Sequence, residues 1–221
     1  MIPVVLHGQT GSGKTSLLRD LAGRGFPVID LELLANHRGS AFGHLNIKYP
    51  QPSQQEFEEK INISIEESNY SRFIFLEFES SNLGKLRIPD YILALYKDGI
   101  QILLKTEIDE RVQNILKEYL PSEKSLLIET LHKLKDRFEM EDDNLIADKF
   151  IQLRSLLESE RYSEFCYQVL GYYDHSKNYN VPVEYDYQLD NQGSKINADR
   201  LLSWMYERYL ASDLTTGSTL S

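Results

Sequence analysis

The chain has 221 residues, 41% of them hydrophobic, and one cysteine, which suits one domain or a core with an appendage and excludes a disulfide or cysteine-rich metal site. No apolar run approaches the length of a membrane span, so a cytoplasmic protein is the expectation. The net charge of −10 gathers after residue 105 (13 Lys/Arg against 22 Asp/Glu, with 11 against 12 before it), which argues against a general nucleic-acid grip there and leaves room for a local basic patch in the first half.

Ile2–His7 is apolar and β-branched, the pattern of a buried strand. Gly8-Gln9-Thr10-Gly11-Ser12-Gly13-Lys14-Thr15 follows, a full match to the phosphate-loop pattern G-x-x-x-x-G-K-[ST]. Ser16–Ala22 then reads as an amphipathic helix. Strand, glycine loop and helix in this order form the context the motif requires. Glycines let the backbone approach an anion, and the loop and helix N-terminus aim N–H groups at phosphate oxygens. Lys14 adds a mobile charge, and the Thr15 hydroxyl suits Mg²⁺. Strand and loop fill the first 15 residues, where a signal peptide would otherwise be sought.

Gly23-Arg24-Gly25 closes the helix. Phe26–Leu31 reads as a second strand, with Asp30 and Glu32 at the end where ligand-handling residues gather. Leu33–Gly43 begins as a helical turn and passes into a loop. His37, Arg38 and Ser40 among its glycines suit anion handling, and equally a plain polar surface loop. At Gln51–Glu58 a helix starts, with Ser53 and Glu56 at capping-box spacing. Arg72–Ser80 is a strongly apolar strand ending in Glu77 and Glu79, which share a face. Carboxylates in so apolar a strand are costly unless used. They are expected to organise Mg²⁺ and water opposite the loop rather than to be solvated edge acids. Residues 81–89 read as a loop with two further cations, Lys85 and Arg87, and Pro89 leads into a short helix over 91–97. Gly99–Lys105 is another strand, and Glu107–Tyr119 a helix capped by Thr106 and carrying Arg111.

From residue 122 the periodicity is that of long helices, over about 122–140 and 143–158 and on through Val169, with a stripe of Leu126, Leu127, Leu131 and Leu134. Cys166 has no basic neighbours and reads as a buried structural thiol. Gly171–Tyr179 reads as a polar, tyrosine-rich turn, Val181–Leu189 as a late strand at the sheet edge, and Ile196–Leu210 as a final helix. Residues 212–221, rich in Ser, Thr and Gly, are expected to be disordered. The predicted division is a core over 1–121, a helical appendage over 122–170, a returning segment over 171–211, and the tail. The predicted class is α/β, a P-loop NTPase-like parallel sheet flanked by helices, with the helical appendage in the second half.

Residues 8–43 resemble the phosphate-loop domain of the tRNA 2-selenouridine synthase family. The family's DLE-x-LA-x-HRGS-x-FG element is matched by Asp30–Gly43, and its QPSQ-x-x-FE element by Gln51–Glu58. Glu77–Gly84 match its acid-rich E-x-ES-x-x-(I/L)G element, and Tyr172–Lys177 a Tyr-Tyr-Asp element with a nearby Ser and Lys. The resemblance implies a component of a tRNA-modifying transferase. In that family, wobble 2-thiouridine is alkylated with geranyl diphosphate and then converted to 2-selenouridine with selenophosphate. The implied partner is tRNA, the implied cofactor Mg²⁺, and the ligand at residues 8–15 either ATP or GTP, or geranyl diphosphate. A nest of N–H groups with a lysine recognises phosphates and not what they carry. Asp30, Glu77 and Glu79 are the candidate catalytic acids, and His37, Arg38, Ser40, Lys85 and Arg87 the candidate substrate-binding rim. The family's rhodanese domain and its catalytic cysteine have no counterpart here, and Cys166 does not match it. The chain therefore resembles the second half of a split enzyme, and a separate rhodanese-domain protein is the expected partner.

Two other readings stand beside this one. Dephospho-coenzyme A kinases place an acid where Asp30-Leu31-Glu32 sits, able to act as general base toward a substrate hydroxyl. That reading leaves the HRGS and QPSQ elements unexplained and lacks an evident arginine-rich lid. The non-enzymatic reading is a nucleotide-switched binding module with the acidic half as its docking surface.

Overall fold

The computed structural model describes residues 1–68, 70–119, 123–138, 144–175 and 184–211. Its centre is a sheet of five parallel strands. β1 (Ile2–His7) lies in the middle, between β3 (Phe73–Glu77) and β6 (Ile100–Lys105). β2 (Val28–Ile29) pairs outside β3, and β7 (Tyr187–Asp190) outside β6. Strands covered on both faces read as unbroken apolar runs, as Val4-Val5-Leu6 and Phe73–Leu76 do, and every one of these side chains is buried.

Successive residues of a strand face opposite ways, so each run feeds two cores. Val4, Leu6 and Phe75 pack against α1 (Lys14–Gly23) and α9 (Ser194–Met205). Val5, Ile74 and Leu76 pack against α3 (Gln54–Glu67) and α4 (Asp90–Asp98). A third cluster joins α5 (Ile108–Tyr119) to α6 (Lys124–Phe138), α7 (Asn144–Glu158) and α8 (Tyr162–His175), and takes in Phe42 and Leu45 from the loop ahead of α3. The helices of the second half are thus seated on the sheet domain through α5 and that loop. No helix among the described residues is long and apolar enough to cross a membrane.

The QPSQ element has two structural uses. Ser53 and Glu56 close the capping box at the start of α3: the Ser53 hydroxyl accepts from the Glu56 N–H at 3.2 Å, and the Glu56 carboxylate accepts from the Ser53 N–H at 2.7 Å. The two glutamines stand in for a strand. Gln51 donates to the Leu83 carbonyl at 2.9 Å and accepts from the Lys85 N–H at 2.9 Å. Gln54 accepts from the Arg87 N–H at 3.0 Å and donates to the Arg87 carbonyl at 2.9 Å. Residues 81–89 are accordingly more than a loop. They form the hairpin of β4 (Asn82–Leu83) and β5 (Leu86–Arg87), whose free edge the glutamines satisfy.

Other expectations shift at their ends. Thr106 does not bond a helix N–H; its hydroxyl donates to the Ser12 carbonyl at 2.8 Å. The predicted turn at 171–179 is helical through His175, and residues 176–180 lie outside the described ones. In the described part of the late strand, Tyr187–Asp190 pairs in register with β6 and the Asp186 N–H donates to the Gln101 carbonyl at 2.8 Å, while 181–183 lie outside the described residues. In the leucine stripe, Leu127 and Leu131 are buried and Leu126 is exposed, while the Leu134 side chain is outside the described part. The final helix is α9 followed by a π-helical turn at Tyr206–Leu210. The tail 212–221 is outside the described residues.

Candidate functional site

Residues 8–13 curl from the end of β1 into the N-terminus of α1, and their carbonyls are tied back by side chains. Lys14 Nζ donates to the Gly8 carbonyl at 2.9 Å. Arg111 Nε donates to the Thr10 carbonyl at 2.9 Å, Asn114 Nδ2 to the Gly11 carbonyl at 2.9 Å, and Thr106 Oγ1 to the Ser12 carbonyl at 2.8 Å. A peptide is planar and trans, so a carbonyl held outward turns the following N–H the other way. The Ser12 N–H bonds the Gln9 carbonyl at 3.0 Å within the loop, while those of Gly11 and Gly13 turn away from the held carbonyls toward one concavity, the arrangement that attracts an anion. The concavity is the floor of a cleft of about 1070 Å³ lined by all of Gly8–Thr15.

Beside the loop lies a group of acids. The Thr15 hydroxyl is 3.1 Å from Glu32 Oε2 and 3.2 Å from Glu77 Oε2. Glu32, Glu77 and Glu79 each bring a carboxylate oxygen within 4.8 Å of the others. Glu77 is wholly buried at the end of β3. Burial and the neighbouring Glu32 and Glu79 charges hold its carboxyl well above the usual range. Burial, with the Glu79 charge, pushes Glu32 up to about 8. Glu79 is also raised by burial, against the pull of Lys14. Two buried polar atoms here, Glu77 Oε1 and Ser12 Oγ, have no hydrogen-bond partner within the protein. Such atoms favour a ligand or ion that supplies one. The set of carboxylates plus the Thr15 hydroxyl consists of hard oxygen donors, the chemistry that suits Mg²⁺.

Asp30 is not one of the three grouped acids. Its Oδ1 caps α2 (Leu31–Leu34), accepting from the Leu33 N–H at 2.8 Å, and its Oδ2 lies 3.8 Å from Arg19 Nε. The short turn of α2 instead carries Glu32 back to Thr15. The cap spacing Asp30-x-x-Leu33 was the available signal for this exchange.

The HRGS element forms one wall. His37 is buried, and its ring is framed by two glycines: a Cβ at Gly43 would meet Cε1 at 2.8 Å, and one at Gly84 would meet Cδ2 at 2.7 Å. Burial, then the His44 charge, lowers its pKa, so the ring is neutral at pH 7. Arg38 pairs with Glu118 at 2.8 Å and donates to the Leu45 carbonyl at 2.9 Å. At Gly39, a Cβ would sit 2.8 Å from Glu32 Oε1 and 3.0 Å from Glu79 Oε2, so the acids close up against bare backbone. The Ser40 hydroxyl is 2.9 Å from the Tyr119 hydroxyl. His37, Arg38 and Ser40 all line the cleft, as do Arg19, Lys117 and Lys133. Lys85 and Arg87 do not line it: Lys85 is exposed on the hairpin, and Arg87 pairs with exposed Asp90 at 3.1 Å. The hairpin itself reaches the cleft through Asn82 and Gly84.

A second pocket, of about 50 Å³, opens beside the cleft. Its walls are apolar, from residues such as Phe42, Leu127, Leu157 and Phe165, and it shares Thr10, Ser40, Ile115 and Tyr119 with the cleft. Cys166 lies in this wall, buried as expected, and burial pushes its thiol up to about 12. It is a neutral thiol and a poor nucleophile.

Residues 2–186 match the family described as the tRNA 2-selenouridine synthase AAA domain. A tRNA 2-selenouridine synthase from Nitrosomonas europaea is 38% identical over 120 residues, covering 53% of this chain and 30% of that protein. One from Sulfurovum sp. is 31% identical over 229 residues, covering 93% of this chain and 60% of that protein. An uncharacterised protein from Methanocaldococcus jannaschii is 32% identical over 182 residues, covering 74% of this chain and 78% of that protein. The chain thus spans less than two thirds of the length of either synthase.

Proposed function

The chain belongs to the family of the tRNA 2-selenouridine synthase AAA domain, and from that we propose that it is the phosphate-binding component of a tRNA-modifying transferase. It acts on wobble 2-thiouridine, by way of geranylation, toward 2-selenouridine. The observation that carries the choice of donor is the apolar pocket that shares Thr10, Ile115 and Tyr119 with the cleft. A diphosphate held at residues 8–15 sets its organic group beside these shared residues. Each methylene of a hydrocarbon chain removed from water there gains about 0.8 kcal/mol. ATP or GTP would set a polar ribose and base against the same wall. Geranyl diphosphate is therefore the preferred ligand.

The loop N–H groups and Lys14 hold the diphosphate. Thr15, Glu32 and Glu77 would hold Mg²⁺, with Glu79 beside them, and the ion would supply positive charge to offset that of the leaving group. The thiouridine sulfur attacks the first carbon of the geranyl group while the carbon–oxygen bond breaks, and that electron pair leaves with the diphosphate. Loop donors already aimed at the growing negative charge need no rearrangement to stabilise it. Neutral His37 and paired Arg38, on the opposite wall, face the tRNA. With Cys166 buried and protonated, the cysteine chemistry of the selenium step falls to a separate rhodanese-domain protein.

Titration calorimetry in Mg²⁺ with geranyl diphosphate, pyrophosphate and ATP tests the donor. Geranyl diphosphate should bind at least ~10-fold tighter than pyrophosphate, in keeping with the burial of a few methylenes. Reconstitution with thiolated tRNA, selenophosphate and a rhodanese protein tests the split. Full conversion by this chain alone would refute it. Tightest binding of ATP, with phosphate transfer to a small-molecule hydroxyl, would put the kinase reading ahead.

A further inference from the structure

The Tyr-Tyr-Asp element takes no part in the chemistry above, yet its aspartate makes a largely buried, bidentate ion pair. Asp174 and Arg111 meet fork to fork, with Nη1 to Oδ2 at 2.8 Å and Nη2 to Oδ1 at 2.8 Å. Their side chains are 19% and 3% exposed. Arg111 Nε donates to the Thr10 carbonyl at 2.9 Å, and Nη1 also donates to Gln9 Oε1 at 2.9 Å. One guanidinium thus grips two consecutive residues of the glycine loop and one carboxylate of α8.

Helix energetics do not account for either charge. Arg111 is in the first turn of α5, where the macrodipole disfavours a cation. Asp174 is in the last turn of α8, where it disfavours an anion. Each charge stands at the wrong end of its own helix, and what they gain is each other and the loop. α8 also walls the apolar pocket through Phe165, Cys166 and Leu170, and its Tyr172 lines the cleft.

We infer that Arg111 and Asp174 are a positioning pair: Asp174 orients the guanidinium, the guanidinium fixes the Thr10 carbonyl, and the seating of α8 thereby sets the affinity of the loop for phosphate. This rests on the reading that residues 8–15 bind phosphate. Lysine cannot replace the arginine, because a single ammonium lacks the flat fork and the separate Nε–H.

The test uses the full chain, pyrophosphate with Mg²⁺ as probe, and the variants Arg111→Lys and Asp174→Asn. Lys124→Ala, which removes the exposed Lys124–Glu160 pair of α6, is the control. Well below each melting temperature, both variants should bind pyrophosphate at least ~10-fold more weakly, as expected when a buried bidentate contact is lost, while the control binds like wild type. A second measurement needs no folded aspartate variant. In arginine-labelled wild type, the Arg111 Nε–H resonance should move on adding pyrophosphate; the Arg111→Lys spectrum identifies it. Folded variants with unchanged affinity overturn the positioning role alone, as does an unmoved Nε–H resonance in wild type that binds pyrophosphate. Wild type that does not bind pyrophosphate overturns the phosphate reading and this inference with it.

Discussion

One buried carboxyl, Glu77, and two half-buried ones, Glu32 and Glu79, make stability depend on pH in a direction opposite to that of most proteins. Glu32 is pushed from 4.5 to about 8. A carboxyl raised on folding contributes stability that is complete below its unfolded pKa and lost as pH rises through the folded one. For Glu32 that window runs from 4.5 to about 8. Burial lowers the pKa of His7 and His37 from 6.5, which acts in the opposite sense and stabilises the fold as pH rises through that value. What remains of it above pH 6.5 is at most about 0.4 kcal/mol per histidine, so the carboxyl effect outweighs it between pH 6.5 and 8. At about 1.36 kcal/mol per unit, Glu32 alone costs about 2 kcal/mol across that interval, and Glu77 adds to it in the same direction. A chain of this size loses roughly 2–4 °C of melting temperature per kcal/mol, so a fall of about 4–8 °C is expected in EDTA. Glu32→Gln should remove most of the slope, and millimolar Mg²⁺ should flatten it by binding the ionised acids. Scanning fluorimetry at fixed ionic strength reads all three. A melting temperature in EDTA that is flat or rises from pH 6.5 to 8 would show that these acids are not held protonated by burial. A slope that survives Glu32→Gln would remove Glu32 from the account.

Lys14→Ala should weaken pyrophosphate binding by roughly 1.5–3 kcal/mol with the fold intact, because a charge-assisted bond is lost from an open cleft; calorimetry beside circular dichroism measures both. Cys166 should react with a disulfide reagent at pH 8 only on unfolding, since burial holds its thiol up to about 12, and Cys166→Ser should leave turnover with the rhodanese partner intact. Gly84→Ala should cost about 1–3 kcal/mol, read by chemical denaturation, because the new methyl meets His37 at a positive φ of 60°. Gln51→Leu should cost a similar ~1–3 kcal/mol by leaving the Leu83 carbonyl and Lys85 N–H unpaired, and a variant as stable as wild type would argue that water replaces the amide.

What could be read from the sequence was local in origin. The strand runs, the glycine loop and the Ser53–Glu56 box each depend on residues a few positions apart; Ile2–His7 and the box formed where the spacing put them, while the strands expected over 26–31 and 72–80 are shorter, at Val28–Ile29 and Phe73–Glu77. Glu77 is legible because a carboxylate in an apolar strand is its own signal, and Glu79, expected on the same strand, reaches the group from just past its end. Asp30 and Glu32 look alike in the sequence as acids after one strand; in the structure β2 stops at Ile29, Asp30 caps α2 through Leu33, and Glu32 sits in that turn and reaches Thr15. Lys85 and Arg87 lie outside the cleft although Asn82 and Gly84 of the same hairpin line it, because sequence nearness to Glu79 says nothing of where each side chain goes. Arg111 and Asp174, 63 residues apart, had no local mark beyond charges of the wrong sign at helix ends. The turn expected at Gly171 failed because a lone glycine does not break a helix otherwise well packed on α5 and α7.

The loop's carbonyl ties have a consequence for the portability of the motif. A fragment ending at Lys105 keeps the whole glycine sequence, the threonine and all three grouped acids. It loses Thr106, Arg111 and Asn114, and with them the hydrogen bonds to three successive carbonyls, those of Thr10, Gly11 and Ser12. Grafted into another scaffold without α5, the eight-residue signature from Gly8 to Thr15 would be a flexible glycine segment with its dipoles free to turn. The recognition element is therefore shared between the loop and one turn of a helix a hundred residues downstream, and the two have to be moved, designed or lost together.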